Sequence, residues 1–359
     1  YENNIKTKVR RNKVLDLALL GCGGGMPIPD RFLSSLLMNY RGRKILIDCG
    51  EGTQVSMKIL GWGFKSIDII CITHMHGDHV VGLPGLLATI GNSGREDPLT
   101  IIGPEGIENV ITGLRTIVPY LPYDIVIIEN PKESLNVNVL KNGMEVLKGY
   151  GSGNLIKNNS LKDCIKNGEN SINQYENYND KLRYDIKIST LELDHSCPCI
   201  GYGFYINRKP KFNLEKAERN NVPKFLWSRL QKGESLVYEG IKYNPSMVMG
   251  RDRKGIKLNY VTDTRPIDPI IDFIKNSDLF ICEGTYGRDE DLHKAIKNKH
   301  MTFREGAKLA NKGKVSQLIL THFSPAMIDP ESFKQNAIEV FPDTLIGKDR
   351  LIKTLSFKK

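Results

Sequence analysis

The 359-residue chain has no stretch near the roughly eighteen consecutive apolar residues that a membrane span requires, and its mean hydropathy is −0.32. A membrane role is therefore not expected. Residues 1–6, Tyr-Glu-Asn-Asn-Ile-Lys, lack an apolar h-region, so no secretory leader is expected there. No internal repeat of fixed period is present. The seven cysteines (22, 49, 71, 164, 197, 199, 282) are an odd, scattered set unsuited to a disulfide framework. Cys22, Cys49, Cys71 and Cys282 sit in or beside apolar segments, which suits reduced, buried thiols and a cytoplasmic protein. Cys197-Pro198-Cys199 lacks the two-residue gap of a zinc knuckle and is expected to pack near a site. A nucleotide cofactor is not expected either. After the apolar run 15–20 comes Gly21-Cys22-Gly23-Gly24-Gly25, but the third glycine of a dinucleotide fingerprint would fall at Met26. Pro27 and Pro29 would also break the helix that must follow. Acidic residues are in deficit, 41 against 51 Lys and Arg, a net charge of +10 that favours a negatively charged partner, nucleic acid first.

Histidine is scarce too, with seven in the chain, yet three fall within Thr73-His74-Met75-His76-Gly77-Asp78-His79. This run follows 66–72, an apolar β-branched segment that reads as a buried strand. In extended backbone His74 and His76 point to the same side. Gly77 is expected to take positive φ cheaply and to swing Asp78 and His79 towards a second nearby position. A helical His-Glu-x-x-His site is disfavoured by the glycine and the preceding strand. The same setting recurs at other strand ends: His195 after 190–193, Asp263 after 258–262 and His322 after 318–321. Loops at strand carboxyl ends are where open α/β frameworks collect functional groups. One histidine there is ordinarily packed or hydrogen-bonded; several, with Asp263 able to bridge two cations, point to metal. Five His and two Asp give each of two zincs about four protein or water ligands. Two zincs ~3.5–4 Å apart lower the pKa of a water towards neutrality and clamp both oxygens of a phosphodiester displacement. Asp48 is expected to hold a ligand histidine by its other ring nitrogen.

Helices are expected at 84–90, 104–118, 266–275, 303–311 and 330–340. Strands are expected at 15–20, 44–48, 66–72, 99–102, 124–129, 138–147, 186–193, 257–262, 278–282 and 317–321. This alternation suggests sheets covered by helices in one α/β domain with a sizeable core. Residues 150–185 hold eight asparagines and little apolar periodicity, and read as a flexible insertion. Residues 208–257 hold thirteen Lys/Arg against five acids, an excess of eight, with Phe212, Phe225, Trp227 and Tyr243 interleaved. That combination favours RNA or DNA contact. Thr302-Phe303-Arg304-Glu305 is a capping-box pattern, which places His300 beside a helix N-terminus. Such a position suits phosphate but opposes imidazolium unless a carboxylate such as Glu283 restores the proton. His293, amid Asp and Lys, reads as a surface residue.

Gly21–Pro27, Leu46–Gln54, Thr73–Gly85, Asp194-His195-Ser196, Thr262-Asp263-Thr264-Arg265-Pro266 and Leu320–Pro325 together carry a resemblance to a known family. The chain resembles ribonuclease Z, the tRNA 3′-processing endoribonucleases of the metallo-β-lactamase superfamily, over about residues 14–149 and 186–345. The resemblance implies an α/β metallo-β-lactamase αββα sandwich with a protruding basic exosite arm. It implies one domain over 1–359 with the arm at 206–250; the asparagine-rich insertion at 150–185 and the N-terminal extension depart from the family's pattern. It further implies one zinc on His74, His76 and His195, a second on Asp78, His79 and His322, and Asp263 bridging them. Asp78 would also accept the proton of the attacking water. The family's His-Glu-Ala-Thr motif occurs here as Cys282-Glu283-Gly284-Thr285, so that Glu283 would support His300 beside the leaving oxygen. Precursor tRNA is the implied substrate, with Arg208, Lys209, Lys211, Lys224, Arg229 and Lys232 as arm contacts. The implied assembly is a homodimer in which one subunit's arm serves the other's site. The alternatives are a hydrolase of small esters or thioesters on the same fold, which leaves the basic segment without a purpose, and a non-catalytic RNA-binding protein, against which the full ligand set argues.

Overall fold

A computed structural model of the chain describes residues 13–147, 154–156 and 184–358. The N-terminal extension and, apart from the backbone of 154–156 and residues 184 and 185, the asparagine-rich insertion lie outside the described residues. The first half runs β1 (Leu15–Gly21), β2 (Ser35–Tyr40), β3 (Arg43–Ile47), α1 (Thr53–Leu60), β4 (Ile67–Cys71), α2 (Gly77–Val80) and α3 (Leu83–Asn92). It continues with β5 (Leu99–Gly103), α4 (Ile107–Arg115), β6 (Ile125–Glu129), β7 (Leu135–Val139), β8 (Met144–Val146) and β9 (Asn154–Ile156). Next come β10 (Ile186–Glu192), β11 (Ile200–Ile206), α5 (Leu214–Arg219), α6 (Trp227–Gln231), β12 (Leu236–Tyr238) and β13 (Ile241–Tyr243). The last third is β14 (Ile256–Val261), α7 (Pro269–Ile274), β15 (Leu279–Glu283), α8 (Leu292–Asn298), α9 (Phe303–Lys312), β16 (Leu318–Thr321), α10 (Gln335–Ile338), β17 (Thr344–Ile346) and β18 (Ile352–Leu355).

Two eight-stranded sheets form, ordered β18-β1-β2-β3-β4-β5-β6-β9 and β17-β16-β15-β14-β11-β10-β7-β8. Their central strands, such as β4, β15 and β16, are buried on both faces, so the middle of each sheet must be covered twice. Leu15, Leu17, Ile45, Ile47 and Ile69 point inward and meet Tyr202, Phe204, Leu258 and Ile281 of the other sheet in one core between the layers. The alternate residues Leu46, Ile70 and Ile101 point outward and are covered by Met57 of α1, Leu86 and Ile90 of α3 and Ile111 of α4. On the far side Ile274 of α7, Phe303 and Ala307 of α9 and Ala337 of α10 cover Phe280 and Leu320. The result is an αββα sandwich, the architecture expected.

Sequence expectations change locally at several points, two of them in the first half of the chain. The helix expected over 104–118 begins only at Ile107, because Gly106 is left-handed at φ 90° and a helix cannot run through it. The strand expected over 138–147 is a hairpin: Leu140 N–H closes the turn by donating to Gly143 O at 2.8 Å, and β7 and β8 pair antiparallel.

Residues 208–250 are built differently from the layers. Ala217, Val222, Leu226, Leu230, Tyr243, Val248 and Met249 form a separate buried cluster against which Phe212 and Trp227 pack. The Phe212 and Trp227 rings lie 5.1 Å apart. Three of the four aromatics read from sequence as facing nucleic acid are therefore core of this small unit, since a segment this short has few other apolar groups to bury. Phe225 alone of the four is strongly exposed, and it meets exposed Tyr238 edge to face at 4.9 Å. The two chain ends of the unit close on each other. Asn213 N–H donates to Val248 O and Gly250 N–H to Lys211 O, both at 2.8 Å.

Candidate metal centre

The parallel strands β14, β15 and β16 end in register, Val261 beside Cys282 and Glu283 beside Thr321. Asp263, Glu283 and His322 therefore emerge side by side at or just beyond these strand ends. From the facing sheet β4 delivers His74, and the β10–β11 turn delivers His195. The backbone is bent hard at these points. Asp48, Asp263 and His322 all adopt left-handed φ (58°, 52° and 58°), a conformation that costs a non-glycine residue roughly 1–2 kcal/mol.

The seven expected ligands come together as two sets of four donors. His74 Nε2 lies 3.1 Å from His76 Nδ1, which lies 3.2 Å from His195 Nε2. His79 Nε2 lies 3.2 Å from His322 Nε2, which lies 3.3 Å from Asp78 Oδ2. Asp263 turns Oδ2 to the first set, 3.6 Å from His74 Nε2 and 3.9 Å from His195 Nε2. Its Oδ1 faces the second, 3.4 Å from His79 Nε2 and 3.3 Å from His322 Nε2. Donors each 2.0–2.1 Å from a tetrahedral ion lie about 3.3 Å apart, so the spacing and the nitrogen and carboxylate chemistry both fit a divalent metal in each set.

The second nitrogen of four histidines is held in a way that fixes the tautomer. His195 Nδ1 faces the Lys299 carbonyl at 3.2 Å, and a carbonyl only accepts, so Nδ1 carries the proton and Nε2 is a free lone pair. His79 Nδ1 donates to Asp48 Oδ2 at 2.8 Å, the partner expected of Asp48. Thr73 Oγ1 gives its proton to Asp48 and so accepts from His74 Nδ1 at 3.1 Å. Thr285 Oγ1 gives its proton to Glu283 Oε2 at 2.6 Å and accepts from His322 Nδ1 at 3.1 Å.

Electrostatics point the same way. Burial, and then neighbouring His79, hold His74 well below the usual histidine range, in the neutral form that ligates. At His79 burial works in that direction too, but Asp263 and Asp48 outweigh it and push the group well above that range. Surroundings of that kind call for positive charge where the two sets meet. Burial would raise the Asp78 and Asp263 carboxyls, yet the adjacent histidines hold both well below the ordinary carboxylate range.

His300 stands beside this cluster, its Nδ1 3.2 Å from Glu283 Oε1. Glu283 is fully buried and also accepts from Thr264 N–H at 2.7 Å and Met301 N–H at 2.9 Å. Burial lowers His300, but Glu283 more than offsets this and raises it to about 9. The capping box expected at Thr302 and Glu305 is present and starts α9 just beyond His300. Four of the seven histidines, His76, His195, His300 and His322, thus line one cleft of about 540 Å³, and His74 and His79 are buried against them. His293 stays exposed, as expected.

Gly77 departs from expectation. It is not at positive φ but opens the four-residue helix α2, with His76 as the extended N-cap. Helix geometry, not a glycine turn, redirects Asp78 and His79. The glycine-rich loop after β1 has a role that the sequence left unassigned. A Cβ at Gly24 would sit 2.4–2.7 Å from the His322 ring, and Gly25 N–H donates to Asp78 Oδ2 at 2.6 Å. Thr73, Thr285 and the Lys299 carbonyl were likewise not singled out from sequence. Among the described residues all six cysteines are free thiols. Cys22, Cys49, Cys71 and Cys282 are buried, as expected, and so is Cys199. The Cys197 thiol lies within 4.8 Å of the His74 and His76 ligating nitrogens.

Of the arm candidates, Lys211, Lys224, Arg229 and Lys232 are exposed. Arg208 instead packs over the Phe357 ring at 5.0 Å, and Lys209 pairs with Asp185 at 3.6 Å, so both are tied to residues outside the 208–250 segment. Arg229 is paired with Glu234 at 2.6 Å.

Residues 15–116 match the family model described as anti-Pycsar protein Apyc1, the stretch from β1 to α4 that carries His74–His79. Over 347 residues the chain is 56% identical to the ribonuclease Z of Clostridium beijerinckii, covering 96% of this chain and all of that one. Among solved structures it is similar to the short form of human tRNase Z, with 20% identity, TM-score 0.57, and 96% of this chain and 100% of that chain covered. It is also similar to the metallo-β-lactamase-fold protein YhfI of Bacillus subtilis, with 16% identity, TM-score 0.59, and 95% and 99% covered. At those identities the two structures bear on the fold alone, which is the metallo-β-lactamase fold.

Proposed function

Because the chain belongs to the ribonuclease Z family, and so is an endoribonuclease, we propose that it removes the 3′ trailer from precursor tRNA using two zinc ions. The cut leaves a 3′-hydroxyl on the tRNA and a 5′-phosphate on the trailer. The observation that carries this reading is the pair of four-donor sets sharing Asp263, with the His300–Glu283 pair beside them.

His74, His76 and His195 would hold one ion, Asp78, His79 and His322 the other, and Asp263 both. When bound, two such cations supply Lewis acidity to a phosphodiester and lower the pKa of a water in the cleft. The rest falls to the chain. Asp78 accepts the proton of the attacking water. His300, kept protonated by Glu283, stands on the leaving side and gives its proton to the departing 3′ oxygen. Lys211, Lys224, Arg229 and Lys232 meet RNA phosphates at a distance from the cut, with Arg208 and Lys209 supporting the arm's base.

The reading includes a cytoplasmic homodimer in which one subunit's arm serves the partner's cleft. Val55 and Ile59, one turn apart on α1 and more than half exposed, offer apolar surface for such a contact. Light scattering is expected to give twice the chain mass.

The direct test is metal content together with cleavage of a 3′-extended tRNA. Two zincs per chain are expected. Chelation should abolish cleavage, and zinc should restore it. A chain that hydrolyses a thioester but leaves the tRNA intact overturns the reading. Thr285→Val removes the acceptor that fixes His322. It is expected to weaken metal binding at the Asp78–His79–His322 set by roughly 10–100-fold in a competitive chelator titration, while Thr285→Ser keeps most of the affinity.

A further inference from the structure

Tyr286 is the one aromatic residue other than histidine that lines the cleft among the described residues. It follows directly on the segment that supplies Glu283 and Thr285. Its backbone is fastened on both sides of the residues after His300: Tyr286 N–H donates to Met301 O at 3.2 Å, and Phe303 N–H donates to Tyr286 O at 2.9 Å. Tyr286 and Thr302 form a parallel bridge. The ring is held at its far end as well, where Asn298 Nδ2 donates to the Tyr286 hydroxyl at 2.6 Å. It lies 6.4 Å from the His300 ring at 63°, half-buried, and lines the cleft.

From this arrangement we infer that Tyr286, steadied by Asn298, is a nucleobase subsite. It stacks the base of the nucleotide whose 3′ oxygen departs. The inference rests on the proposed nuclease reading, because it takes His300 as the group beside that oxygen. A ring locked to the same backbone as His300 cannot drift relative to it, so a stacked base fixes the position of the attached ribose and its 3′ oxygen. Stacking of this kind tolerates any base, since every base has a π face. It therefore suits an enzyme that must accept substrates ending in different bases. Lys297, exposed on the same rim, adds positive charge where the neighbouring backbone phosphate would lie.

The test is a cycle between protein and RNA. Its partners are the metal-loaded full chain with Tyr286, Tyr286→Ala or Tyr286→Phe, and precursor tRNA that is intact or abasic at the nucleotide before the cut. Tyr286→Ala is expected to lower kcat/KM on the intact substrate by ~5–150-fold, with Tyr286→Phe losing little. On the abasic substrate the same Tyr286→Ala change should cost less than about threefold, because the stacked group is already gone. An equal loss on both substrates means that the ring merely positions His300 and overturns the subsite, as does no loss on the intact one. The same cycle is read in the affinity for the mature, uncleavable 3′ end with and without its last base. The subsite can thus fail while cleavage stands, and its base-dependent coupling can be measured even if cleavage of precursor tRNA fails.

Discussion

Replacing His300 with alanine is expected to slow precursor tRNA cleavage by ~10²–10⁴-fold, the range typical of a lost general acid, with metal content unchanged at two per chain. The reason lies in the leaving group. A ribose 3′ oxygen expelled without a proton is a strong base, and in this cleft Nδ1 of His300 is committed to Glu283, which leaves the imidazole's other edge to give its proton up. A small phosphodiester with a nitrophenolate leaving group needs no such proton, so His300→Ala should slow it far less. Comparison of the two losses is the measurement. Similar losses would mean that His300 orders the metal centre rather than protonating the leaving oxygen. Glu283→Gln should follow the same pattern. It removes the charge that keeps His300 raised, and its single amide oxygen can accept from only one of the Thr264 and Met301 N–H groups that Glu283 holds on separate oxygens.

The clustering of the candidate donors was legible where a donor sits at the end of an apolar run, because that boundary is a local signal. His74, Asp263 and His322 follow Ile69-Ile70-Cys71-Ile72, Tyr260-Val261-Thr262 and Ile319-Leu320-Thr321. What could not be read is whatever depends on a partner distant in sequence. The Lys299 carbonyl that orients His195 has no residue-specific signature at all, since any residue offers a carbonyl. Thr285 becomes significant only when β15 and β16 lie side by side and bring His322 to its hydroxyl. In the fold the same distinction holds. β2 is Ser-Leu-Leu-Met-Asn-Tyr, whose Leu36, Leu37 and Met38 lean towards helix, and its pairing with β1 and β3 makes it a strand. The helix expected over 330–340 splits into a 3₁₀ turn at Pro330–Phe333 and the short α10. The aromatics of the basic segment misled because composition alone cannot tell a stacking surface from a small core. Only the packing of Phe212 on Trp227 separates the two.

Excision of residues 213–248, with a short glycine link joining 212 to 249, is expected to reduce kcat/KM on precursor tRNA by roughly 10²-fold, mostly through KM. The excision is feasible because Lys211 and Gly250 are already hydrogen-bonded and the apolar cluster of this segment is separate from those of the two sheets. The loss should be electrostatic in character. Lys224, Arg229 and Lys232 are exposed and leave with the arm, so a plot of log(kcat/KM) against log salt should become shallower by about 0.9 for each RNA phosphate that the shortened chain no longer neutralises. Substituting exposed Phe225 and Tyr238 together should instead weaken binding with little change in salt slope, because stacking carries no charge. A small phosphodiester fits in the cleft and has nothing to offer the arm. Its turnover should fall at least tenfold less than that of tRNA upon excision. Equal losses on both substrates, or an unchanged salt slope, would show that the arm supports the fold of the metal centre instead of gripping RNA.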